Sequence, residues 1–535
     1  MKSELRIESC SRRAVGCTSK RFGHYFKRSC VLWLSWLGFF VSSSFGVNAK
    51  PNILIILTDD MGYSDLGCYG GEIETPALDL LAAEGLRFSE FYNCSRCWVS
   101  RSALMSGCYI EWFRGPKNVT IAQLLKTAGY ETGMVGKWHA SDKSEGPGGP
   151  NAPFQRGFDD FFGTLSGAGS YYDPHTLTRN DQAITAGEDF YYTDRIGEEA
   201  VRQIEKFAVT DCPFFQYIAF TAPHWPMHAP EAVVQKYINR YNDGWEVLRN
   251  ERYARMLQMG IIDAERYPLP PMEPEVPKWE EVEHKEWYAR QMAIYAAMVD
   301  IMDRNVGRIV DALKRTDQFE NTLIVFLNDN GACAEIPKSG GSSSYILAKA
   351  EARGETLAEG EDFRAKMGSP LTFSAVGPYW ANAQNTPMRR YKKNVHNGGV
   401  LTPAIMHWPA GLKVQAGSIS RQRGHVVDMM ATCLELAGVD YPKTFNGTKL
   451  MQPDSKSLVP VLNGEPVPRD HTYFFRHAGT AAVVKGDYKL VKDKGGKWEL
   501  YDLTKNRTET DDIAGQHPER VAELSRLWNN KWGKK

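Results

Sequence analysis

From residue 50 onward, short apolar runs recur, and each breaks off into a knot of polar residues. Residues 52–57 run into Thr58, Asp59 and Asp60, and residues 132–136 into Lys137, Trp138 and His139. Residues 213–220 lead to Thr221 and His224, and residues 322–327 to Asn328, Asp329, Asn330 and Gly331. Continuous apolar runs of this length predict strands buried on both faces, in a sheet with helices packed on each side. Between them the period changes. Residues 76–83 and 121–128 predict short helices. Tyr288, Met292, Tyr295, Val299, Met302, Val306, Ile309 and Leu313 recur in steps of three and four, the buried stripe of a long helix. That helix feeds the run at Thr322, which makes the fold class α/β.

Towards the C-terminus the runs shorten. Residues 472–475, 481–484, 488–491 and 498–501 predict strands separated by Gly-, Asp- and Lys-rich turns, and a helix follows over about 518–532. This is a small antiparallel sheet plus one helix, expected as a subdomain over 467–535 behind a catalytic domain over 50–466. The proline-rich stretch 268–277 predicts an extended connector, and 339–374, rich in small and charged residues, a surface insertion.

Composition removes alternatives. At 535 residues, 42% apolar and 24% charged, the chain is an ordinary globular one, too long for a single small domain. Ten cysteines are too sparse for a disulfide scaffold, and 64 basic against 64 acidic residues give no support for a nucleic-acid partner. The balance hides an asymmetry. Residues 1–49 carry eight basic side chains and only Glu4 and Glu8 as acids, then an apolar run over 31–41, then Val47 and Ala49 at the −3 and −1 places of a signal-peptidase site. The pattern predicts a signal peptide over 1–49, export to the periplasm or the medium, and no membrane span after its removal.

The polar knots carry the chemistry. In an open α/β sheet, ligands sit outside the carboxyl ends of the strands, so four such ends gather their side chains at one edge. Any one knot reads equally well as a turn or a helix cap; four together point to a site. Asp59, Asp60 and Asp329 would repel one another by roughly 4 kcal/mol per pair at ~4 Å and an effective dielectric near 20. Hard carboxylate and amide oxygens favour Ca²⁺ or Mg²⁺ to relieve this. Lys137 and Lys392 add positive charge, and a metal with lysines suits a tetrahedral oxyanion such as sulfate or phosphate.

The segment Cys97-Trp98-Val99-Ser100-Arg101, with Leu104 and Gly107, resembles the signature of the sulfatase family, and the resemblance runs through Gly136-Lys-Trp-His139, Ala222-Pro-His-Trp-Pro226, Asp329-Asn-Gly331, Asn385-Thr-Pro387 and Val395-His-Asn-Gly-Gly399. It implies an alkaline-phosphatase-like fold with a large mixed, mostly parallel sheet, and hydrolysis of aryl or carbohydrate sulfate monoesters. It also implies formylglycine, formed from Cys97 by a maturation enzyme, as nucleophile. Asp59, Asp60, Asp329 and Asn330 are then the ligands of one Ca²⁺. Arg101 steadies the aldehyde hydrate, Lys137 and Lys392 hold the sulfate, His139 is the base, and His224 stands beside the leaving oxygen.

Departures from the signature matter too. Val99 stands where the family has Pro and leaves a backbone N–H and more freedom, which puts the conversion of Cys97 in question. Asn328 replaces a common Ser, Asn397 a common Glu, and Thr480-Ala481 a common Asn-Arg pair. Two alternatives follow: a non-catalytic protein that binds sulfated ligands, and a phosphate or phosphonate ester hydrolase on the same fold. Tyr171-Tyr172-Asp173 and Asp243-Gly244-Trp245 are candidate pocket residues. Cys94 and Cys108 are candidates to pair with Cys97 in an oxidising compartment.

Overall fold

The computed structural model describes residues 50–142, 145–336, 344–468 and 471–533. The expected leader over 1–49 and the first part of the insertion at 339–374 lie outside them. From Lys50 onward the chain forms one compact unit. Its centre is an eleven-stranded sheet, and seven strands carry the argument: β1 (Asn52–Thr58), β2 (Leu86–Tyr92), β3 (Glu131–Lys137), β4 (Asp160–Thr164), β5 (Phe214–Ala219), β6 (Thr322–Asn328) and β7 (Leu401–His407).

They lie in the order β2-β7-β6-β1-β5-β3-β4. The four strands expected from apolar runs, β6, β1, β5 and β3, are therefore consecutive, and all pair in parallel. Their carboxyl ends fall along one edge. Beyond β6 the sheet turns mixed, because β7 pairs antiparallel with both β6 and β2.

Every residue of β1 is buried. Alternate side chains serve opposite layers: Leu54 and Ile56 pack with one apolar cluster, and Ile53, Ile55 and Leu57 with another. The first layer holds helices α1 (Pro76–Glu84), α4 (Tyr192–Phe207) and α5 (Lys285–Arg315), and the second holds α2 (Cys97–Ser106) and α3 (Ile121–Thr127). In α5, seven of the eight predicted stripe positions, from Met292 to Leu313, are no more than 2% exposed, and only Tyr288 sits at the rim. At α3, Thr120 accepts from the Gln123 amide and the Gln123 side chain returns to the Thr120 N–H, a reciprocal cap that fixes where the helix starts.

The C-terminal strands β8 (Thr472–His477), β9 (Thr480–Lys485), β10 (Tyr488–Lys492) and β11 (Glu499–Asp502) form an antiparallel sheet, with α6 (Pro518–Trp532) against it. Val483, Leu490 and Leu500 meet Leu524 of α6, whereas Ala482, Val484 and Val491 face the main core. A buried charge pair ties this part to the body, Arg507–Glu90 at 2.5 Å; Arg423 of the body also reaches Glu90 at 3.2 Å, and Lys489 pairs with Glu509 at 2.7 Å within the C-terminal part. Asn397 joins them, accepting from Lys489 at 2.7 Å and donating to the Arg507 carbonyl at 2.8 Å.

Candidate active site

Each of the four parallel strands delivers its polar knot to one place, the floor of the candidate site. Asp59 and Asp60 follow β1, Lys137 ends β3 with His139 just beyond, His224 follows β5, and Asp329 and Asn330 follow β6. The turns that aim these side chains are sharp. Asp60 and His139 adopt left-handed backbone with φ of 67° and 44°, a region that side-chain-bearing residues populate sparsely. Gly136, at φ 96°, brings β3 so close to β5 that a Cβ there would lie 2.0 Å from the Ala219 carbonyl oxygen.

Cys97 opens α2 on the same floor. Arg96 caps the helix in an extended conformation, and Ser100 is the first residue whose N–H reaches back to a helical carbonyl, that of Arg96 at 2.9 Å. The amides of residues 97–99 thus belong to the positive end of the helix. Val99 needs no intrahelical acceptor and is buried against the apolar cluster beneath. The Cys97 Sγ lies 3.5 Å from His139 Nδ1, and the residue is 2% exposed. Burial pushes its thiol upward in pKa, against the pull of Lys137 and Lys392.

Six charges meet here, three of each sign, all essentially buried. Lys137 pairs with Asp59. Arg101 holds Asp329 through Nη2 at 2.7 Å and Nε at 2.9 Å, and reaches Asp59 at 3.4 Å and the Lys137 carbonyl at 2.8 Å. Lys392 contacts both oxygens of Asp60 at 2.7 and 2.8 Å, and Asn330 donates to Asp60 at 2.7 Å. Burial alone would raise Asp59, but Lys137, His224, Arg101 and Lys392 hold it well below the carboxylate range. Asp329 moves the other way, to about 7, because burial and the neighbouring Asp59 outweigh Arg101. Both histidines are kept neutral: burial, then Lys137 and Arg101, depress His139, and burial lowers His224 to about 4 against the opposing pull of Asp60 and Asp59.

The donor set fits a hard divalent cation. Asp59 Oδ1 and Asn330 Oδ1 are buried acceptors with no donor among the described residues, a situation that costs about 1–3 kcal/mol per atom. The His224 ring has its Nδ1 on the Trp225 carbonyl, so that nitrogen carries the proton and Nε2 is a bare acceptor, 3.4 Å from Asp60 Oδ2. Acceptors facing acceptors call for a cation between them. Ligand atoms of Asp59, Asp60 and His224 lie within 4.8 Å of one another. Asp329 adds its Oδ1, 3.4 Å from the Asp60 amide, while its other oxygen is committed to Arg101.

All ten residues singled out from the sequence converge on this floor, but other expectations fail. Trp245 is fully buried among Trp279, Trp380 and Tyr379, so its ring packs the core, while Asp243 is exposed. Tyr171 is buried too and supports the site from behind, its hydroxyl donating to the His224 carbonyl at 2.8 Å. Cys94, Cys97 and Cys108 are free thiols, as are the other four cysteines among the described residues.

Sequence reasoning missed the rim. Trp98 stacks on Trp112 with rings 5.3 Å apart and 3° from parallel, and both rings meet His139 edge-on at 5.6 Å. Arg96 lies over Trp98, and Glu335 gathers Arg96, Lys392 and Lys393. Adjacency to Cys97 was the only signal for Arg96 and Trp98; Glu335 and Lys393 offered none.

Compared with known proteins, residues 51–439 match the family model described as Sulfatase, and residues 390–530 the model of the N-sulphoglucosamine sulphohydrolase C-terminal region. An uncharacterized sulfatase of Schizosaccharomyces pombe is 31% identical over 90% of this chain and 93% of its own. An arylsulfatase of Klebsiella aerogenes is 32% identical over 74% of this chain and 88% of its own. Among solved structures, Ps i-CgsB in complex with k-i-k-neocarrahexaose superposes with a TM-score of 0.65 at 25% identity, covering 91% of this chain and 94% of that one.

Proposed function

Because the chain belongs to the sulfatase family, and is thus a sulfuric ester hydrolase of alkaline-phosphatase-like fold, we propose that it cleaves sulfate monoesters of an aryl or carbohydrate alcohol with a nucleophile derived from Cys97. The observation that carries this reading is the contact between Cys97 Sγ and a neutral, buried His139 at the positive end of α2, beside three lysine and arginine side chains. Ca²⁺ is the cation we assign to Asp59, Asp60, Asp329 and Asn330, with the bare His224 Nε2 close by. When bound, Ca²⁺ supplies positive charge to the sulfate oxygens, and the aldehyde hydrate formed from Cys97 supplies the attacking hydroxyl.

The chain's own groups do the rest. The three carboxylates and three cations balance, so a divalent cation leaves a net positive floor, which favours an anionic ester. Lys137 and Lys392, each already on a ligand carboxylate, hold the sulfate. Arg101, fixed by Asp329 and the Lys137 carbonyl, positions the nucleophile. His139, kept neutral, accepts its proton; burial and neighbouring cations serve a base here because a neutral imidazole is ready at ordinary pH. His224 lies on the leaving-group side, locked by the Trp225 carbonyl. Residues 50–466 form the catalytic domain and 467–535 complete its rim. The leader over 1–49 directs export to the periplasm or the medium, where sulfated small molecules or glycans are met.

Mass spectrometry of the Cys97 peptide from the native host tests the reading, paired with turnover of an aryl sulfate. Formylglycine in that peptide, and loss of at least about 10³-fold in kcat/KM for Cys97→Ala, are expected. An unmodified thiol with no turnover would leave a sulfated-ligand-binding protein, and a large preference for aryl phosphate would overturn the sulfatase reading. Val99→Pro should raise the converted fraction while changing stability by less than about 1 kcal/mol, since residue 99 lies in the first helical turn, where a backbone donor is not needed.

A further inference from the structure

At the rim of the site, three cations converge on one carboxylate that the proposed chemistry does not use. Glu335 Oε1 lies 3.2 Å from Arg96 Nη1 and in contact with Lys393 Nζ, and its Oε2 lies 3.5 Å from Lys392 Nζ. Burial works against its ionisation, yet Lys392, Arg96 and Lys393 hold it well below the carboxylate range, so it is ionised at ordinary pH.

The cluster is built rather than incidental. Lys393 takes a left-handed φ of 78°, and its amide donates to the Ser95 carbonyl at 2.8 Å, which locks the loop carrying both lysines to the loop carrying Arg96. The Arg96 guanidinium lies 4.7 Å over the Trp98 ring, and its buried Nε has no acceptor among the described residues. His477, 5.8 Å from Trp98, is lowered to about 4 by burial and by Arg96 and Lys393, another sign of the positive field. One carboxylate thus neutralises a place furnished for more negative charge than it carries.

Lys392 links this place to the site. Its Nζ is 2.7 Å from Asp60 and 3.5 Å from Glu335, so the two carboxylates stand no more than 6.2 Å apart. That span fits two substituents on a single ring. The Glu335 carboxylate keeps 20% exposure on an irregular segment, whereas Lys392 is 1% exposed. The carboxylate is therefore the movable partner.

We propose that Arg96, Lys392 and Lys393 form a subsite for a second anionic group on the same ring as the scissile ester, and that Glu335 occupies this subsite until substrate displaces it. The preferred substrate is then a disulfated or carboxylated ring rather than a simple monosulfate. This rests on the reading that the site cleaves sulfate esters, and deepens it.

A paired substrate separates the two claims: 4-nitrophenyl sulfate carrying a ring carboxylate, and its methyl ester, in which the sulfate is the sole anionic group. Wild-type protein should show the higher kcat/KM on the carboxylate. Lys393→Ala should lower the carboxylate-to-ester ratio by about 1.5- to fivefold, the range of a partly exposed ion pair, and leave the ester rate unchanged. Glu335→Gln should raise the ratio, by relieving competition for the three cations. Equal factors on both substrates in either variant, or a lowered ratio for Glu335→Gln, would overturn the subsite. Absence of turnover with every substrate would instead sink the sulfatase reading. In that event calorimetric binding of the same two compounds to Cys97→Ala, with and without Lys393→Ala, still reads the preference, and equal affinities refute it. Thermal melts of each variant exclude misfolding.

Discussion

His139 is steered by what is absent beside it. Its own backbone is left-handed, and a Cβ built on Gly167 would lie 2.2 Å from its Cε1. The missing side chain is what lets the ring lie against Cys97. Gly167→Ala should therefore displace the imidazole by about an ångström and lower kcat/KM by roughly 10²-fold, with stability changed by about 1 kcal/mol or less. Steady-state kinetics beside a thermal melt checks this, and a large fall in melting temperature with normal kinetics would contradict it. At this scale the sequence was informative where a residue type is tied to a strand end. Asp59, Lys137, His224 and Asp329 each follow an apolar run, and Cys97 lies in a signature. Glu335, Arg96 and Lys393 carry no such mark, because three cations meeting one carboxylate is a property of loops that only the fold brings together.

Parallel strands announce themselves by unbroken apolar runs, and β6, β1, β5 and β3 were legible for that reason. The strands that make the sheet mixed were not. Leu86–Tyr92 interleaves Arg87, Ser89 and Glu90 with its apolar residues, and Leu401–His407 carries Pro403, which argues against an interior strand from sequence alone. Near the other end of the sheet, β4 is held to α4 by charge. Asp160 takes hydrogen bonds from Arg202 at 2.6 and 3.1 Å, Lys206 at 3.0 Å and Gln203 at 3.1 Å. Burial would raise its pKa, but these donors lower it to about 2, below the ordinary 3.8. A depressed folded value means stability that is present above pH 3.8 and lost as pH falls towards 2. Partial exposure of the arginine and lysine limits the gain to about 1 kcal/mol or less. Asp160→Asn should thus be less stable than wild type at pH 7, and the gap should close between pH 4 and pH 2 in denaturant titrations.

Over the whole molecule, the equal counts of acids and bases conceal two unlike parts. Without residues 1–49, 56 basic residues face 62 acidic ones, a net charge of −6. A body of that sign attracts an anionic substrate only through local concentration, which the floor lysines, Arg101 and the Arg96–Lys393 rim provide. Asn397, read from the sequence as a lost carboxylate, ties the C-terminal part to the body in the fold, through its bonds to Lys489 and the Arg507 carbonyl. Glu509→Gln leaves Lys489 buried without its charge partner, and should cost about 3 kcal/mol, measured by denaturant unfolding.

The burial of Cys97 sets a clock. Its thiol is sealed once α2 packs under a sheet whose neighbouring strands β6 and β7 are made only after residues 322 and 401 emerge. At 5–20 residues per second, that delay is roughly 15–60 s after Cys97 is synthesised. Any enzyme that must grip the segment as an extended peptide therefore acts within this interval or not at all. The native protein offered to a maturation enzyme should stay unconverted, and the same chain offered unfolded should be converted, with the aldehyde read by mass. Timing of synthesis, as much as the identity of residue 99, would then decide how much of the population carries the aldehyde.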